Sequence, residues 1–343
     1  MLSRPPHTLP VAAAVTCFAM TSLACAFGSY VPVVALQELG GTIAGGIALS
    51  GDRQTLFAWE ATDANGMPSH LLKALSANDG EVLAQTPLSG VRALATTPAY
   101  DQWFRVLMAD GTIESWFRSG SDLVNVGPYA PIPTDFDRNF ESRYVCDITS
   151  APDGTFYVSA VDDTDIQTTW IYVHRGADGW SRAIDPVTHE KCARIAHDRD
   201  GRVVAMVDQT LSVFVDDGST VAWDSEVWVA LPSEDSHTID VEALGGIAAV
   251  AASDALEHPS RDNDSLLNGI LLVDLASGLV TDSVSAGAPT SLAVDAPWDR
   301  NERDDEGALW VAGIIDFDAK CPDAAIGPVC TVTAGYWDIL SAE

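Results

Sequence analysis

Residues 148–160 read ITSAPDGTFYVSA, and residues 195–207 read IAHDRDGRVVAMV. Aligned on their Asp-Gly dipeptides, both give an apolar strand, a tight turn and a second strand rich in branched or aromatic residues. Asp-Gly between apolar runs is a strong hairpin signal, because glycine accepts the positive φ angles of short hairpin turns. The two stretches therefore predict the same opening hairpin in two successive units of a repeat.

The same unit recurs along the chain. Residues 91–108 and 292–313 repeat the opening hairpin, the second with an acidic insertion, and closing hairpins begin at Leu71, Trp170, Thr210 and Ile270. This spacing of similar segments is typical of repeat architectures. We place six units at 43–90, 91–127, 141–187, 191–236, 237–287 and 288–339.

Four short strands per unit and no long helical periodicity predict an all-β fold, a β-propeller with six four-stranded blades; seven blades remain an alternative. The stretch 30–39 (YVPVVALQEL) is a lone strand before the first unit, and the last unit is one strand short. We therefore expect the N-terminal strand to complete the last blade. A non-repeating β-sandwich is the other fold compatible with many short strands.

The repeats resemble known propeller families. The closing hairpins ALSANDGEVLA (74–84) and VDLASGLVTDSV (273–284) are similar to quinoprotein-like and YVTN- or WD40-like repeats. The opening hairpins resemble those of NHL-type and gluconolactonase-like six-bladed propellers. The resemblance implies the propeller fold. Quinoprotein repeats carry Trp shortly after the Gly, where this chain has Ala84 and Thr281, so we expect no pyrroloquinoline quinone site and identify no cofactor.

The N-terminus predicts export. Arg4 precedes an apolar stretch of small residues, and Ala24-Cys25-Ala26 has the form of a signal peptidase site, so residues 1–26 are predicted to be a signal peptide. The mature chain, 27–343, is then a single propeller domain, secreted or periplasmic, with no transmembrane segment. A lipoprotein anchored at Cys25 is the alternative.

Four cysteines remain after the predicted leader is removed. Cys146 and Cys192 occupy matching places before the Asp-Gly turns of adjacent repeats, and Cys321 and Cys330 bracket a loop. An even number in an oxidising compartment favours disulfides. We predict the pairs Cys146–Cys192 and Cys321–Cys330; the alternative for the first pair is two reduced, buried thiols.

The chain is strongly acidic, with a formal net charge of −31. Such a field repels nucleic acid and anionic membranes, and it favours cations or a basic partner. A solvated acidic surface that keeps a monomer soluble is the alternative explanation. The partner predicted from sequence is an unidentified protein, glycan or small ligand.

Long loops are predicted at 62–69, 128–142, 161–168, 226–236, 254–268 and 316–330, all on one face of the propeller. Loops on a rigid scaffold commonly carry binding sites. The acidic residues in them are Asp135, Asp137, Glu141, Asp162, Asp163, Asp165, Asp254, Glu257, Asp262, Asp264, Asp316 and Asp318.

Calcium is the cation that such oxygen ligands suit. The candidate ligands closest to a calcium loop are Asp299, Asn301, Asp304 and Asp305, and weaker candidates are the pairs Asp198 with Asp200 and Asp262 with Asp264. Solvated surface carboxylates are the alternative at each place.

Catalytic signals are sparse. The chain has no GxSxG motif and its histidines are scattered; His197 beside Asp198 is either a base or a residue at the end of an inner strand. The tryptophans, including Trp103 and Trp223, are expected in the blade core. Two functions stay open: a binding protein that uses the loop face without chemistry, and a metal-dependent hydrolase or lactonase with carboxylates in the central channel.

Overall fold

The computed structural model describes 31–35, 43–64, 67–77, 80–97, 101–129, 132, 143–162, 168–189, 192–198, 200–231, 237–253, 269–284, 288–295, 308–314 and 332–338. These residues form antiparallel sheets, with one 3₁₀ turn at Gly176–Asp178. In chain order the strands are β1 (Val31–Ala35), β2 (Ile43–Leu49), β3 (Thr55–Ala64), β4 (Met67–Ser76), β5 (Val82–Pro87), β6 (Val91–Thr96), β7 (Trp103–Met108), β8 (Ile113–Ser119), β9 (Asp122–Pro128), β10 (Arg143–Ser150), β11 (Phe156–Asp162), β12 (Thr168–His174), β13 (Trp180–Arg182), β14 (Thr188–His189), β15 (Arg194–Asp198), β16 (Arg202–Val207), β17 (Thr210–Asp216), β18 (Val221–Trp228), β19 (His237–Leu244), β20 (Ile247–Ser253), β21 (Gly269–Asp274), β22 (Val280–Val284), β23 (Ala288–Asp295), β24 (Ala308–Ile314) and β25 (Val332–Asp338).

Each sheet is one blade of a β-propeller, which confirms the predicted all-β propeller architecture. Blades 1 to 5 are built from consecutive strands, β2–β5, β6–β9, β10–β14, β15–β18 and β19–β22. Blade 6 joins β23–β25 to the N-terminal strand β1, which pairs antiparallel with β25. The innermost strands β2, β6, β10, β15, β19 and β23 contact one another in that order, and β23 contacts β2, so they surround a central channel.

Blade 3 departs from the predicted four-stranded pattern. Its fourth strand, β13, has only three residues and pairs with β12 from Tyr172 to His174. A fifth strand, β14, pairs with the other end of β12, through Thr168 and Thr169. The two short strands therefore divide the outer edge of β12 between them, an arrangement that the turn motifs do not predict.

The hydrophobic core lies between blades, where the faces of adjacent sheets pack together. Phe57 of blade 1 stacks on Phe104 of blade 2 with ring centroids 4.1 Å apart, and both side chains are fully buried. Between blades 4 and 5, a cluster contains Val204, Leu211 and Val250. The inner strands carry continuous buried apolar runs, such as residues 203–207 of β16, because both faces of each blade meet a neighbouring blade.

Three tryptophans of the described residues contradict the expectation that they lie in the core. Trp103 is 37% exposed, Trp223 is 49% exposed and Trp228 is 65% exposed, whereas Trp116 is buried as expected. Trp223 and Trp228 lie on the outer strand β18, where adjacent blades diverge and the next sheet does not cover a large side chain; Trp103 is the first residue of β7, at the end of its strand.

Connections between second and third strands, and between successive blades, emerge on one side of a propeller, here called the loop face; the remaining turns form the turn face. The predicted loop 62–69 is wrong, because β3 and β4 continue as a hairpin in which Ala64 pairs with Met67. Asp110-Gly111 joins β7 to β8, so this tight turn lies on the loop face, whereas Asp153-Gly154 and Asp200-Gly201 lie on the turn face. No helix in the described part of the chain has the length and apolar character needed to cross a membrane.

Candidate functional site

The innermost strands place equivalent residues in a ring around the channel. In five of these strands the register shifts by one residue, between Ala44/Gly46, Val91/Ala93, Val145/Asp147, Thr238/Asp240 and Pro289/Ser291. Such a bulge redirects the residue that follows it. The following residues form what we call the channel ring, completed in blade 4 by the first residue of β15: Gly46, Ala93, Asp147, Arg194, Asp240 and Ser291.

Side chains of the ring join blade 3 to blade 4, blade 5 to blade 6 and blade 6 to blade 1. The carboxylate of Asp147 accepts the backbone N–H of Ile195 at 2.9 Å, and that of Asp240 accepts the N–H of Leu292 at 2.8 Å. Ser291 donates its hydroxyl to Asp240 at 2.8 Å and accepts the N–H of Ile47 at 3.1 Å. An innermost strand is a sheet edge with unpaired N–H groups, and these side chains satisfy them.

The same device recurs further along the strands towards the turn face. Thr149 accepts the N–H of His197 at 3.2 Å. Asp198 accepts the N–H groups of Gly245 and Gly246 at 2.9 and 3.1 Å. In every case an acceptor side chain on one blade bonds the main chain of the following blade. We call this pattern the inter-blade stitch.

Three charged ring residues lie on consecutive blades. The pKa of Asp147 is raised to about 7, because burial and the nearby charge of Asp240 raise it more than the guanidinium of Arg194 lowers it. Burial also raises the pKa of Asp240, again opposed by Arg194. The guanidinium of Arg194 thus interacts electrostatically with both buried carboxyl groups and favours their charged forms.

Two cavities occupy the described part of the channel. The smaller, about 30 Å³, is lined by both ring carboxylates together with Arg92, Arg194 and Glu242. The larger, about 90 Å³, lies nearer the turn face and is lined by His197 and Glu242 among others. Because one water needs roughly 10–15 Å³, these spaces suit a few waters or small ions.

His197 is a buried residue of β15 and not a loop residue. Its ring stacks on Tyr157 with centroids 5.4 Å apart. The neighbouring carboxylate of Asp198 is fully buried and bonds Arg202 at 2.7 Å in addition to the two glycine N–H groups. If His197 acted as a base, Asp198 would be the carboxylate expected to orient it, but that carboxylate is already engaged in these bonds.

The disulfide Cys146–Cys192 is confirmed, and it links the innermost edges of blades 3 and 4. Cys146 is the bulge residue before Asp147, and Cys192 lies two residues before Arg194. A disulfide is compatible with an extracellular or periplasmic protein.

Most predicted loop ligands lie outside the described residues. These are the calcium candidates Asp299, Asn301, Asp304 and Asp305, the cysteines Cys321 and Cys330, and the acidic loop residues other than Asp162. Residues 1–30, with the predicted signal peptide and Cys25, also lie outside. Within the described ranges, no group of three or more His, Cys, Asp or Glu side chains is arranged to hold a metal ion.

Sequence reasoning missed Asp147, Arg194 and Asp240. A signal was available: the three residues are about one repeat length apart, so alignment of the innermost strands places them at one position. The turn motifs identify the ends of hairpins, whereas these three charged residues lie within the innermost strands.

No family model matches the chain, and no curated protein matches it. Among solved structures, a luciferin-regenerating enzyme is similar, with 13% identity over 90% of this chain and 95% of that chain and a TM-score of 0.59. The β-propeller domain of Cps50 (Swd1) from Myceliophteria thermophila has 8% identity, coverage of 86% and 83%, and a TM-score of 0.49. A functionally unknown protein from Desulfotomaculum acetoxidans has 14% identity, coverage of 70% and 71%, and a TM-score of 0.45. The first likeness agrees with the strand topology, and the chain is a β-propeller.

Proposed function

We propose that this protein is an exported propeller that binds a protein, glycan or small ligand on its loop face without catalysing a reaction. The observation that carries the proposal is the inter-blade stitch. The channel carboxylates Asp147 and Asp240 each accept backbone N–H groups of the following blade and share Arg194. These carboxyl groups therefore serve to hold adjacent blades together. The long loops are the surface that remains for recognition of a ligand.

Loop shortening tests this proposal. Ala252 pairs with Gly269, so replacing 253–268 by Asn-Gly leaves a two-residue hairpin turn between these paired residues and keeps the register of β20 and β21. The mature chain, immobilised, is compared with this variant for retention of proteins and glycans from the periplasm or growth medium of the producing organism. We expect a retained ligand that the shortened variant loses.

A turn-face substitution supplies the control. Asp178 is exposed in the 3₁₀ turn between β12 and β13, and Asp178→Ala should leave retention unchanged. Equal retention by parent and loop variant, with unchanged melting temperatures, contradicts the loop-face proposal.

The second candidate is a hydrolase or lactonase, and two observations favour it. A similar fold is found in a protein whose name describes an enzyme. Asp147, with a pKa of about 7, lines a channel cavity, and a carboxyl group titrating near neutrality can act as a general acid or base. A thermal melt with EDTA, then with Ca²⁺, Mg²⁺ or Zn²⁺ restored, tests for the metal; a shift of several degrees specific to one ion supports this candidate over the first.

A further inference from the structure

Strand β18 presents two indoles and a carboxylate in one row. Its register with β17 pairs Trp223 with Phe214, Glu226 with Ser212, and Trp228 with Thr210. Phe214, Ser212 and Thr210 alternate along β17, so they point to one face, and directly paired residues share that face. The register shift at Asp224 brings Trp223 into line with the other two. We call these three residues, Trp223, Glu226 and Trp228, the WEW row. Adjacent members of the row lie about 7 Å apart along the strand.

The WEW row is open to solvent. Trp223 is 49% exposed and Trp228 is 65% exposed, and Glu226 is also exposed. Exposed large apolar side chains that are grouped on one part of a surface commonly mark an interaction site. The opposite face of β18 is covered, since a side chain at Gly278 of blade 5 would collide with Val227.

One end of β18 is already capped by blade 3. The N–H of Ile184 donates to the carbonyl of Val221 at 2.8 Å, and the N–H of Trp223 donates to Asp185 at 3.2 Å. Ile184 is 62% exposed and extends the apolar surface beside Trp223. Beyond this point β18 is the last strand of its sheet, so among the described residues of blade 4 its outer edge has no strand partner. An extended peptide can add to such an edge through main-chain hydrogen bonds.

The charge around the WEW row is negative. Asp224 and Glu226 are exposed on β18, and Asp185 lies beside Trp223. The nearby cations are engaged elsewhere: Arg175 bonds Asp216 at 2.6 Å, and the guanidinium of Arg182 lies 3.9 Å over the ring of Trp170. A carboxylate flanked by indole faces favours a cationic side chain, because both charge pairing and cation–π attraction act on it.

We propose that the WEW row binds an extended, basic segment of a partner protein, which adds to the outer edge of β18 and places an Arg or Lys opposite Glu226 with apolar residues opposite the two tryptophans. Alternate side chains of an added strand lie at the spacing of the row, and directly opposite pairs lie about 4.5–5.5 Å apart. A second copy of this chain is disfavoured as the occupant, since its own β18 would bring Glu226 and Asp224 against the same charges. This site does not depend on the loop-face proposal.

The test uses a dye-labelled, acetylated and amidated peptide, TLTRTLT, whose Leu, Arg and Leu side chains share one face when extended. Fluorescence anisotropy of this peptide with the mature protein measures binding. We expect Glu226→Lys to weaken binding about tenfold or more and to confer binding of the charge-reversed peptide TLTETLT. Trp228→Ala should weaken TLTRTLT binding without creating affinity for TLTETLT.

Three controls separate this site from general attraction to an acidic protein. Asp122→Lys makes the same charge change at an exposed residue of β9, the outer strand of blade 2, and should leave binding unchanged. A TLTRTLT peptide N-methylated at its second Leu lacks one main-chain donor that faces β18, since Glu226 and Trp228 turn their main-chain groups outward; it should bind weakly to the parent protein, whose folding it cannot alter. Equal weakening by Asp122→Lys and Glu226→Lys, or displacement of TLTRTLT by equimolar spermidine, overturns the proposal. So does an absence of saturable binding by TLTRTLT.

Discussion

Asp147 and Ile195 lie on adjacent blades, and the carboxylate Oδ2 of the first accepts the backbone N–H of the second at 2.9 Å. The other oxygen, Oδ1, accepts the N–H of Ile148 at 2.9 Å. Asp147→Ala leaves both buried donors without this acceptor, so we expect the free energy of unfolding to fall by about 1–3 kcal/mol. Asp147→Asn keeps one carbonyl oxygen and should cost less. Urea denaturation of the three proteins measures the order.

Asp122→Ala provides the comparison for that series. This residue is exposed on β9, and its removal should change the free energy of unfolding by no more than about 0.5 kcal/mol. If Asp147→Ala costs no more than Asp122→Ala, the stitch between blades 3 and 4 contributes nothing measurable to stability.

The Asp147 carboxyl also predicts a pH dependence. Burial raises its pKa from 3.8 to about 7 in the folded protein, so between these values the folded state holds a proton that the unfolded state has released. The stabilisation from this proton is complete below about pH 4 and is lost as the pH rises through 7. The difference in unfolding free energy between parent and Asp147→Asn should therefore fall over that interval. A difference that stays constant from pH 4 to 8 contradicts the raised pKa.

The disulfide between Cys146 and Cys192 closes a loop across the seam between blades 3 and 4, with a sequence separation of 46. A cross-link of that span restricts the unfolded chain, so replacing both cysteines by Ser should cost about 2–5 kcal/mol. Denaturation of parent and double variant, each with and without a reducing agent, checks this. Reduction should destabilise the parent, and a reductant effect of equal size in the double variant would mean that another bond is responsible.

Asp216 joins the same two blades at the turn face. Arg175 donates to both of its oxygens at 2.6 and 2.7 Å, and the hydroxyl of Tyr157 donates at 2.6 Å. Asp216 is nearly buried, so Arg175→Ala should cost about 3 kcal/mol, whereas Tyr157→Phe removes one neutral donor and should cost about 1 kcal/mol. Burial and the hydrogen bond to Asp216 raise the pKa of Tyr157, so this hydroxyl remains a donor at alkaline pH.

A double-mutant cycle checks whether these three groups act together. The two substitutions share Asp216, so the combined cost should differ from the sum of the single costs by more than about 0.5 kcal/mol. Strict additivity, or a larger loss from Tyr157→Phe than from Arg175→Ala, would contradict the shared-carboxylate interpretation.

Turn residues made the architecture predictable. Gly154 and Gly201, aligned at the outset, both have φ of 90°, a conformation that side-chain-bearing residues rarely adopt. A loop was predicted at 62–69, but β3 and β4 pair as one hairpin as far as Ala64 and Met67. This stretch contains the dipeptide Asn65-Gly66, which is the same kind of hairpin signal as the Asp-Gly turns.

Local sequence also determined the pairing of Cys146 with Cys192, since equivalent positions in adjacent repeats lie side by side once the repeats form a ring. Only the tertiary structure showed that Asp147, Arg194 and Asp240 form one electrostatic group, and that Trp223, Glu226 and Trp228 form one row. Hairpins and repeats are encoded by neighbours along the chain. The channel ring depends instead on bulges in the innermost strands and on contacts between blades. The WEW row depends on the register shift at Asp224 and on the divergence of the outer strands. Local sequence does not encode these features, because each is set by how separate strands pair and pack.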